Sequence, residues 1–243
     1  MFDLTGKVAL VTGAGQGVGR GIAVALAAQG ASVAVNDLSA ERAGATAAAV
    51  SGRAVPFDVG DREAVEAAIA GLGRVDILVN NAGKGGQHGI GQALFRESGP
   101  EHWDGPVAVD YRGALHCTRA VINPMCERGW GRIVSIASDA GTSGVGVAKG
   151  IGVSAYAAAK GAVISLMRHV AVECAASGVT ANTVALGLME RPDGADSPLA
   201  ATIPVGRTGT PADAGALCVY LVSEEASWMT GQTIQLGGGQ VTS

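Results

Sequence analysis

A chain of 243 residues is long enough for one large α/β domain. Hydrophobic residues make up 48% and charged residues 16%, enough for a core, and the formal net charge of −4 argues against a general nucleic-acid surface. No apolar run reaches the roughly 20 residues that a bilayer crossing takes. The opening MFDLTGKVALVTGAG has no basic start, apolar core or small-residue cleavage site, so a cytoplasmic location is expected.

Short β-branched runs alternate with longer Ala-rich stretches. Strands are predicted at residues 8–12, 32–36, 54–57, 77–80, 132–136, 179–184 and 233–236, and helices at 18–29, 40–50, 62–70, 107–128, 155–177 and 211–222. The strand runs are apolar on both faces, as in a parallel sheet covered on both sides. Ser39 and Asp61 are expected as helix N-caps, and Thr210 precedes a proline suited to the first helical position. The alternation predicts α/β architecture: a single domain over 1–243, built as a doubly wound parallel sheet of about seven strands. Two segments break the pattern. Residues 84–104 are Gly-rich, and residues 187–208 hold Pro192, Pro198 and Pro204, so both read as functional loops, the second as a substrate loop.

The first strand ends in Thr12-Gly-Ala-Gly-Gln-Gly-Val-Gly19, which fails a plain GxGxxG match because position 18 is Val. Its spacing still allows a tight turn opening a helix, where backbone N–H groups meet a pyrophosphate. Gly13, Gln16, Gly17, Val18 and Gly19 are the expected contacts. Asp37 closes the second strand, 18 residues beyond Gly19, close to the spacing of a ribose-binding carboxylate. A carboxylate there repels a 2′-phosphate, so NAD is expected over NADP. No basic residue follows it until Arg42. Asp58, after the third strand, is placed to receive the adenine amino group.

Tyr156-Ala-Ala-Ala-Lys160 sets a phenol and an ammonium one helical turn apart on one face. On its own the pair reads as surface decoration or as an acid–base couple. A free phenol titrates near 10, roughly, and a neighbouring cation favours phenolate, as proton transfer near neutrality requires. Cys117, Cys126, Cys174 and Cys218 form no CxxC pair, and His88, His102, His116 and His169 do not cluster with carboxylates, so no metal site is expected. His116 and His169 read as locally satisfied helix residues, His88 and His102 as loop residues.

In order along the chain, Thr12–Gly19, Asn80-Asn-Ala-Gly83, Tyr156-xxx-Lys160 and the tail Thr230-Gly-Gln-Thr-Ile-Gln-Leu-Gly-Gly238 resemble the TGxxxGxG, NNAG, YxxxK and TGQxxxxDGG motifs of the short-chain dehydrogenase/reductase family. The resemblance implies a Rossmann-type fold and a dinucleotide held also by Val59, Asn81, Ala82, Gly83, Gly187 and Leu188. It implies Tyr156 as proton-transfer group, Lys160 as its cation and ribose ligand, and Ser138, just beyond the fifth strand, holding the substrate oxygen, with Ser143 and Ser154 as substitutes. It further implies a homotetramer packed through the two long helices. Asp110 stands where the family commonly has a water-holding Asn, Leu186-Gly187 where Pro-Gly is usual, and Arg191 where a Thr often bonds the carboxamide. Conversion of Asp110 to Asn is expected to keep or raise activity.

The expected pocket wall is apolar: Leu94, Phe95, Trp103, Val145, Val147, Leu188, Met189, Leu199 and Ile203. It suits a secondary alcohol or ketone with a hydrophobic body, hydroxysteroid-like or 3-hydroxyacyl-like. A 3-oxoacyl-carrier-protein reductase is the alternative, although Ser177 stands where such enzymes often carry a basic residue. A dinucleotide-binding regulator with little catalysis is the alternative of another class. Neither nucleic acid nor membrane is an expected partner.

Overall fold

The computed structural model describes residues 1–84, 93–144, 152–190 and 197–242. Seven strands form one parallel sheet in the order β3-β2-β1-β4-β5-β6-β7: β1 Val8–Val11, β2 Ser32–Val35, β3 Arg53–Ala54, β4 Ile77–Asn80, β5 Gly131–Ser138, β6 Val179–Leu186 and β7 Thr233–Leu236. The chain winds outward from β1 to β3, then returns to the other side of β1 with β4. The strand order therefore reverses between β1 and β4, the point where doubly wound sheets hold a ligand crevice at the strands' carboxyl ends.

The apolar runs are buried from both sides. One core packs Ile22 and Leu26 of α1 (Gly17–Ala28), Ala43 and Ala47 of α2 (Ala40–Ala49) and Cys218 and Leu221 of α8 (Pro211–Val222) on the sheet. The opposite core packs Val65 of α3 (Arg62–Leu72), Val121 and Met125 of α5 (Gly113–Glu127) and Val163 and Met167 of α7 (Ser154–Cys174). The expected caps form: Ser39 accepts the Arg42 N–H, Asp61 those of Glu63 and Ala64, and Thr210 that of Asp213.

Several boundaries depart from the sequence reading, each for a local reason. β3 is two residues long, because Pro56 has no N–H to continue the ladder. β5 and β6 run longer than expected and stay paired through Ser138↔Leu186. Leu186 keeps the N–H that a proline would lack, and Ser138 is the last residue of β5 rather than a residue beyond it. The helix expected from residue 107 starts earlier, as α4 (Pro100–Pro106), with a proline at its first position. Pro106 donates no backbone bond, and directly after it the helix widens into a π-turn over Val107–Arg112 before α5 begins. That π-turn carries Asp110. Two further short elements matter for the site: α6 (Asp139–Thr142), capped by Ser138, and a 3₁₀ turn Phe95–Glu97 before α4.

Leu78 lies fully buried in β4 at the centre of the sheet. Leu78→Ala is expected to cost about 2–5 kcal/mol of unfolding free energy through lost burial and a cavity. Urea titration checks it, and a loss below about 1 kcal/mol would contradict this packing.

Candidate active site

The Gly-rich turn sits where β1 meets α1. Gly13 and Gly17 have φ of 62° and 54°, the left-handed region that a side chain resists. α1 begins without a side-chain cap and without an acidic residue in its first turn, so its N–H groups face outward uncompensated. A Cβ on Gly17 would meet nothing within 4 Å. Free donors beside open space fit a dinucleotide pyrophosphate.

The turn is braced from two sides. Asn36, buried, accepts the Gly13 N–H at 3.3 Å and donates to the Val55 and Phe57 carbonyls at 3.2 and 3.0 Å. Thr12 Oγ1 accepts the N–H groups of Asn81 and Ala82, both at 3.0 Å, and Asn81 Nδ2 donates to the carbonyls of Thr12 and Gly13 at 2.8 and 3.1 Å. Asn81 and Ala82 are thus tied to the turn, while Gly83 lies against Asp110. Asn36 carries no sequence signal of this role, being a polar residue at the end of an apolar strand run.

Asp37 closes this end of the crevice, but its surroundings differ from expectation. Arg42 Nη2 donates to Asp37 Oδ1 at 2.6 Å, so the carboxylate is not unscreened. Oδ1 also accepts the Ser39 N–H at 2.9 Å, and Oδ2 accepts that of Gly15 at 3.1 Å. Gly15, outside the motif spacing, matters by close approach: a Cβ there would fall 2.6 Å from Arg42 Cβ. Asp58 lies exposed, four residues past β3, with Oδ1 accepting the Gly60 N–H at 2.8 Å. Val59 is buried and packs where Gly113 leaves room.

At the other end, Lys160 is buried and Tyr156 is half-buried beside it, its ring centre 5.7 Å from Nζ. The pair is no surface decoration. Lys160 Nζ donates to the Ile136 carbonyl at 2.9 Å and stands 2.9 Å from Asp110 Oδ1. Asp110 Oδ2 accepts the Lys84 N–H at 2.8 Å. The ion pair is held by charge more than by alignment, since no well-angled hydrogen bond ends on Asp110 Oδ1. Burial pushes the Lys160 ammonium's pKa down, but the charges of Asp110 and Tyr156 push harder, and it ends above the ordinary lysine value.

Ser138 lies two residues along β5 from Ile136. Its Oγ accepts the Ala140 N–H at 3.2 Å, leaving its own O–H to give. Ser135 is fully buried and receives a bond from Asn80 Nδ2 at 3.1 Å, so it serves the strand. Ser143 is committed to the Asp139 carbonyl at 3.2 Å, and Ser154 is exposed at the start of α7. Gly187 ends up after β6, donating to the Leu236 carbonyl at 3.1 Å, and the Leu188 N–H meets Gln240 Oε1 at 2.9 Å.

Of the apolar wall, Phe95 stacks on Trp103 with centroids 6.4 Å apart, while Met189 and Ile203 are buried. Leu188 and Ile203 line a cavity of about 130 Å³ with Val205, Leu236 and Gly238. Val145, Val147, Arg191 and His88 lie outside the described residues. His102 Nδ1 accepts the Gly99 N–H at 3.2 Å at the start of α4. His169 bonds its own helix at the Ser165 carbonyl, whereas His116 reaches the Val59 carbonyl, 57 residues away in sequence. Burial pushes the Cys117 and Cys218 thiols up to about 12. No group of three or more potential metal ligands occurs among the described residues, and no helix there is long and apolar enough to cross a membrane.

Comparison with known proteins agrees with this geometry. A family model described as enoyl-(acyl carrier protein) reductase matches residues 13–240. The chain is 34% identical to the Thauera aromatica protein named (2S)-[(R)-hydroxy(phenyl)methyl]succinyl-CoA dehydrogenase subunit BbsD, over 98% of each chain. It is 34% identical to the 3-oxoacyl-[acyl-carrier-protein] reductase FabG of Escherichia coli (strain K12), again over 98% of each. A crystal structure of a Brucella melitensis 3-oxoacyl-[acyl-carrier protein] reductase with bound NAD superposes with a TM-score of 0.90 at 31% identity, covering 100% of this chain and 94% of that one. The protein belongs to the short-chain dehydrogenase/reductase family and is an oxidoreductase.

The buried pair sets up a test. A lysine whose folded pKa is raised contributes stability that is fully present below the unfolded value, about 10.4, and lost as pH rises through the folded value. Asp110→Asn removes the charge that raises it and leaves a buried ammonium unpaired, at an expected cost of about 3–5 kcal/mol at neutral pH. That cost shrinks as pH rises through the lysine range. Urea unfolding of both proteins across pH 7–11 checks it; an equal, pH-independent stability would contradict the pairing.

Proposed function

We propose that the protein is an NAD(H)-dependent oxidoreductase that interconverts a secondary alcohol with a hydrophobic body and the corresponding ketone. The observation that carries this reading is the buried Lys160 ammonium one turn from Tyr156 and bonded to the Ile136 carbonyl, two residues before Ser138 at the end of β5. A bound nicotinamide would supply the hydride acceptor in oxidation and the donor in reduction. The chain supplies the rest. Ser138 Oγ donates to the substrate oxygen. Tyr156 takes the hydroxyl proton in oxidation and its phenol returns it in reduction, with the Lys160 ammonium beside the ring. Lys160 has three N–H donors. One goes to the Ile136 carbonyl and one faces Asp110, leaving the third for the nicotinamide ribose.

Gly13, Gln16, Gly17, Val18 and Gly19 would hold the pyrophosphate and Asp37 the adenosine ribose. Asp58 and Val59 would flank the adenine, and Asn81, Ala82, Gly83, Gly187 and Leu188 the nicotinamide half. Asp37 favours NAD(H). Asp110 serves as a positioning residue, fixing Lys160. The described part of the 187–208 loop, with Leu188, Leu199 and Ile203, would face the substrate. The names of the relatives point to 3-oxoacyl or hydroxyacyl thioesters as the substrates to try first, in line with the apolar Leu188 and Leu199. Assembly as a homotetramer through α5 and α7 suits the exposed Val172 on α7.

Tyr156→Phe is expected to lower turnover about 10²–10⁴-fold while NADH affinity stays within about threefold, because the phenol moves a proton and does not anchor the dinucleotide. Lys160→Ala is expected to damage both. Turnover of a panel of secondary alcohols followed by absorbance, with NADH binding followed by fluorescence, separates the two. Unchanged turnover in Tyr156→Phe would sink the assignment.

A further inference from the structure

We infer that Cys126 and Cys174 form a reversible modification site, a dithiol that a small-molecule disulfide oxidises to a cross-link between the ends of α5 and α7. Cys126 lies in the last turn of α5, and Cys174 closes α7. These helices feed neighbouring strands, and β5 pairs with β6 so that Gly131 stands opposite Val179. Cys126 comes five residues before Gly131, and Cys174 five before Val179. The strand register thus brings the two helix ends level. The turns that follow them are in contact. A Cβ on Gly178 would press on the Gly129 carbonyl, and Arg132 Nη1 donates to the Gly131 and Gly178 carbonyls at 2.9 and 3.1 Å. Within this frame the two thiols meet and share a hydrogen bond. Both side chains are half-buried and pack against the same core.

The other two cysteines, Cys117 and Cys218, are fully buried and closed to a reagent. The exposed pair rests reduced. Burial, the bond to Cys126 and the charges of Cys126 and Glu173 push the Cys174 thiol up to about 11, so at neutral pH it is a thiol and reacts slowly. Oxidation then runs through two exchanges. One protein thiolate attacks a sulfur of the small disulfide, forming a mixed disulfide and releasing one thiolate of the reagent. The second protein thiolate attacks the protein sulfur of that mixed disulfide and releases the other. The protein gives up two electrons and two protons, and the reagent leaves as two thiols. β5 separates the pair from the candidate site, running from Gly131 at the helix ends to Ser138 at its far end. The cross-link therefore fastens α5 to α7 without entering that site. By closing the chain between positions 126 and 174 it restricts the unfolded state, so the oxidised protein is the more stable form.

The test exposes the folded protein to oxidised glutathione, quenches with acid, alkylates the remaining thiols and maps the peptides by mass spectrometry. Wild type is expected to lose about 2 Da, two hydrogens, through one bond joining Cys126 to Cys174, while Cys117 and Cys218 stay free thiols. Cys126→Ser and Cys174→Ser are each expected to stop at the glutathione adduct of the remaining cysteine, a gain of about 305 Da, with no cross-link. Oxidised wild type is expected to unfold at a higher urea concentration than the reduced protein, and dithiothreitol to restore the lower midpoint. A wild type that stops at glutathione adducts, links its cysteines differently or between two copies, or stays reduced would overturn the inference. So would an oxidised midpoint below the reduced one, since the helix ends would then have to part for the bond to form.

Discussion

A buried ammonium is costly, and the active-site end of this protein is arranged around one. Lys160 cannot stay charged inside a protein without a compensating charge and acceptors for its protons. The Ile136 carbonyl and Asp110 supply both. Each comes from a different element, so the requirement ties α7 to β5 and to the π-turn before α5. The π-turn follows Pro106, where the helix lacks a bond in any case, and it carries Asp110 toward the lysine. α6 approaches α7 at Gly141, where a Cβ would press on Lys160 and Gly161. The same β5 that offers the Ile136 carbonyl presents Ser138 two residues on. Tyr156 is carried on the lysine's own helix. The proposed catalytic geometry follows from keeping one charge satisfied.

The proposed nucleotide end follows a different rule, in which backbone donors and small residues do the positioning. The turn after β1 is held by Asn36 and Asn81 from the neighbouring strands β2 and β4, so its outward N–H groups are fixed before any ligand arrives. The strand order reverses at β1 and β4, and the two braces come from the two sides of β1. At the rim, the Asp37–Arg42 pair replaces a simple negative charge with a dipole whose positive half is exposed.

Much of this was legible in the sequence. The apolar runs located all seven strands, because a parallel sheet covered on both faces leaves little room for polar residues. The Gly-rich turn, Asn80–Gly83 and Tyr156–Lys160 mark both ends of the candidate site, since each imposes a backbone or spacing requirement visible locally. What stayed hidden depends on contacts between distant or differently phased residues. Arg42 was noticed only as the next basic residue after Asp37; its contact depends on where α2 starts and how its first turn points. Asp110 stood out as a departure from the family pattern. Its role as the direct partner of Lys160, fifty positions away, needed the π-turn to be seen. The start of α4 was masked by a Gly-rich segment, although Pro100 is a helix-opening residue. The early end of β3 was signalled by Pro56 and outweighed by the apolar residues around it.

The central claim is that Lys160 remains a buried cation beside Tyr156. With four lysines in the chain, nitrogen-15 NMR of lysine-labelled protein can follow each ammonium separately, with Lys160→Arg as the assignment control. The expected result is one ammonium, absent in that variant, which stays protonated to higher pH than the other three and exchanges slowly with water. A Lys160 that loses its proton at or below the free-lysine value of about 10.4, or exchanges as fast as the rest, would contradict the account.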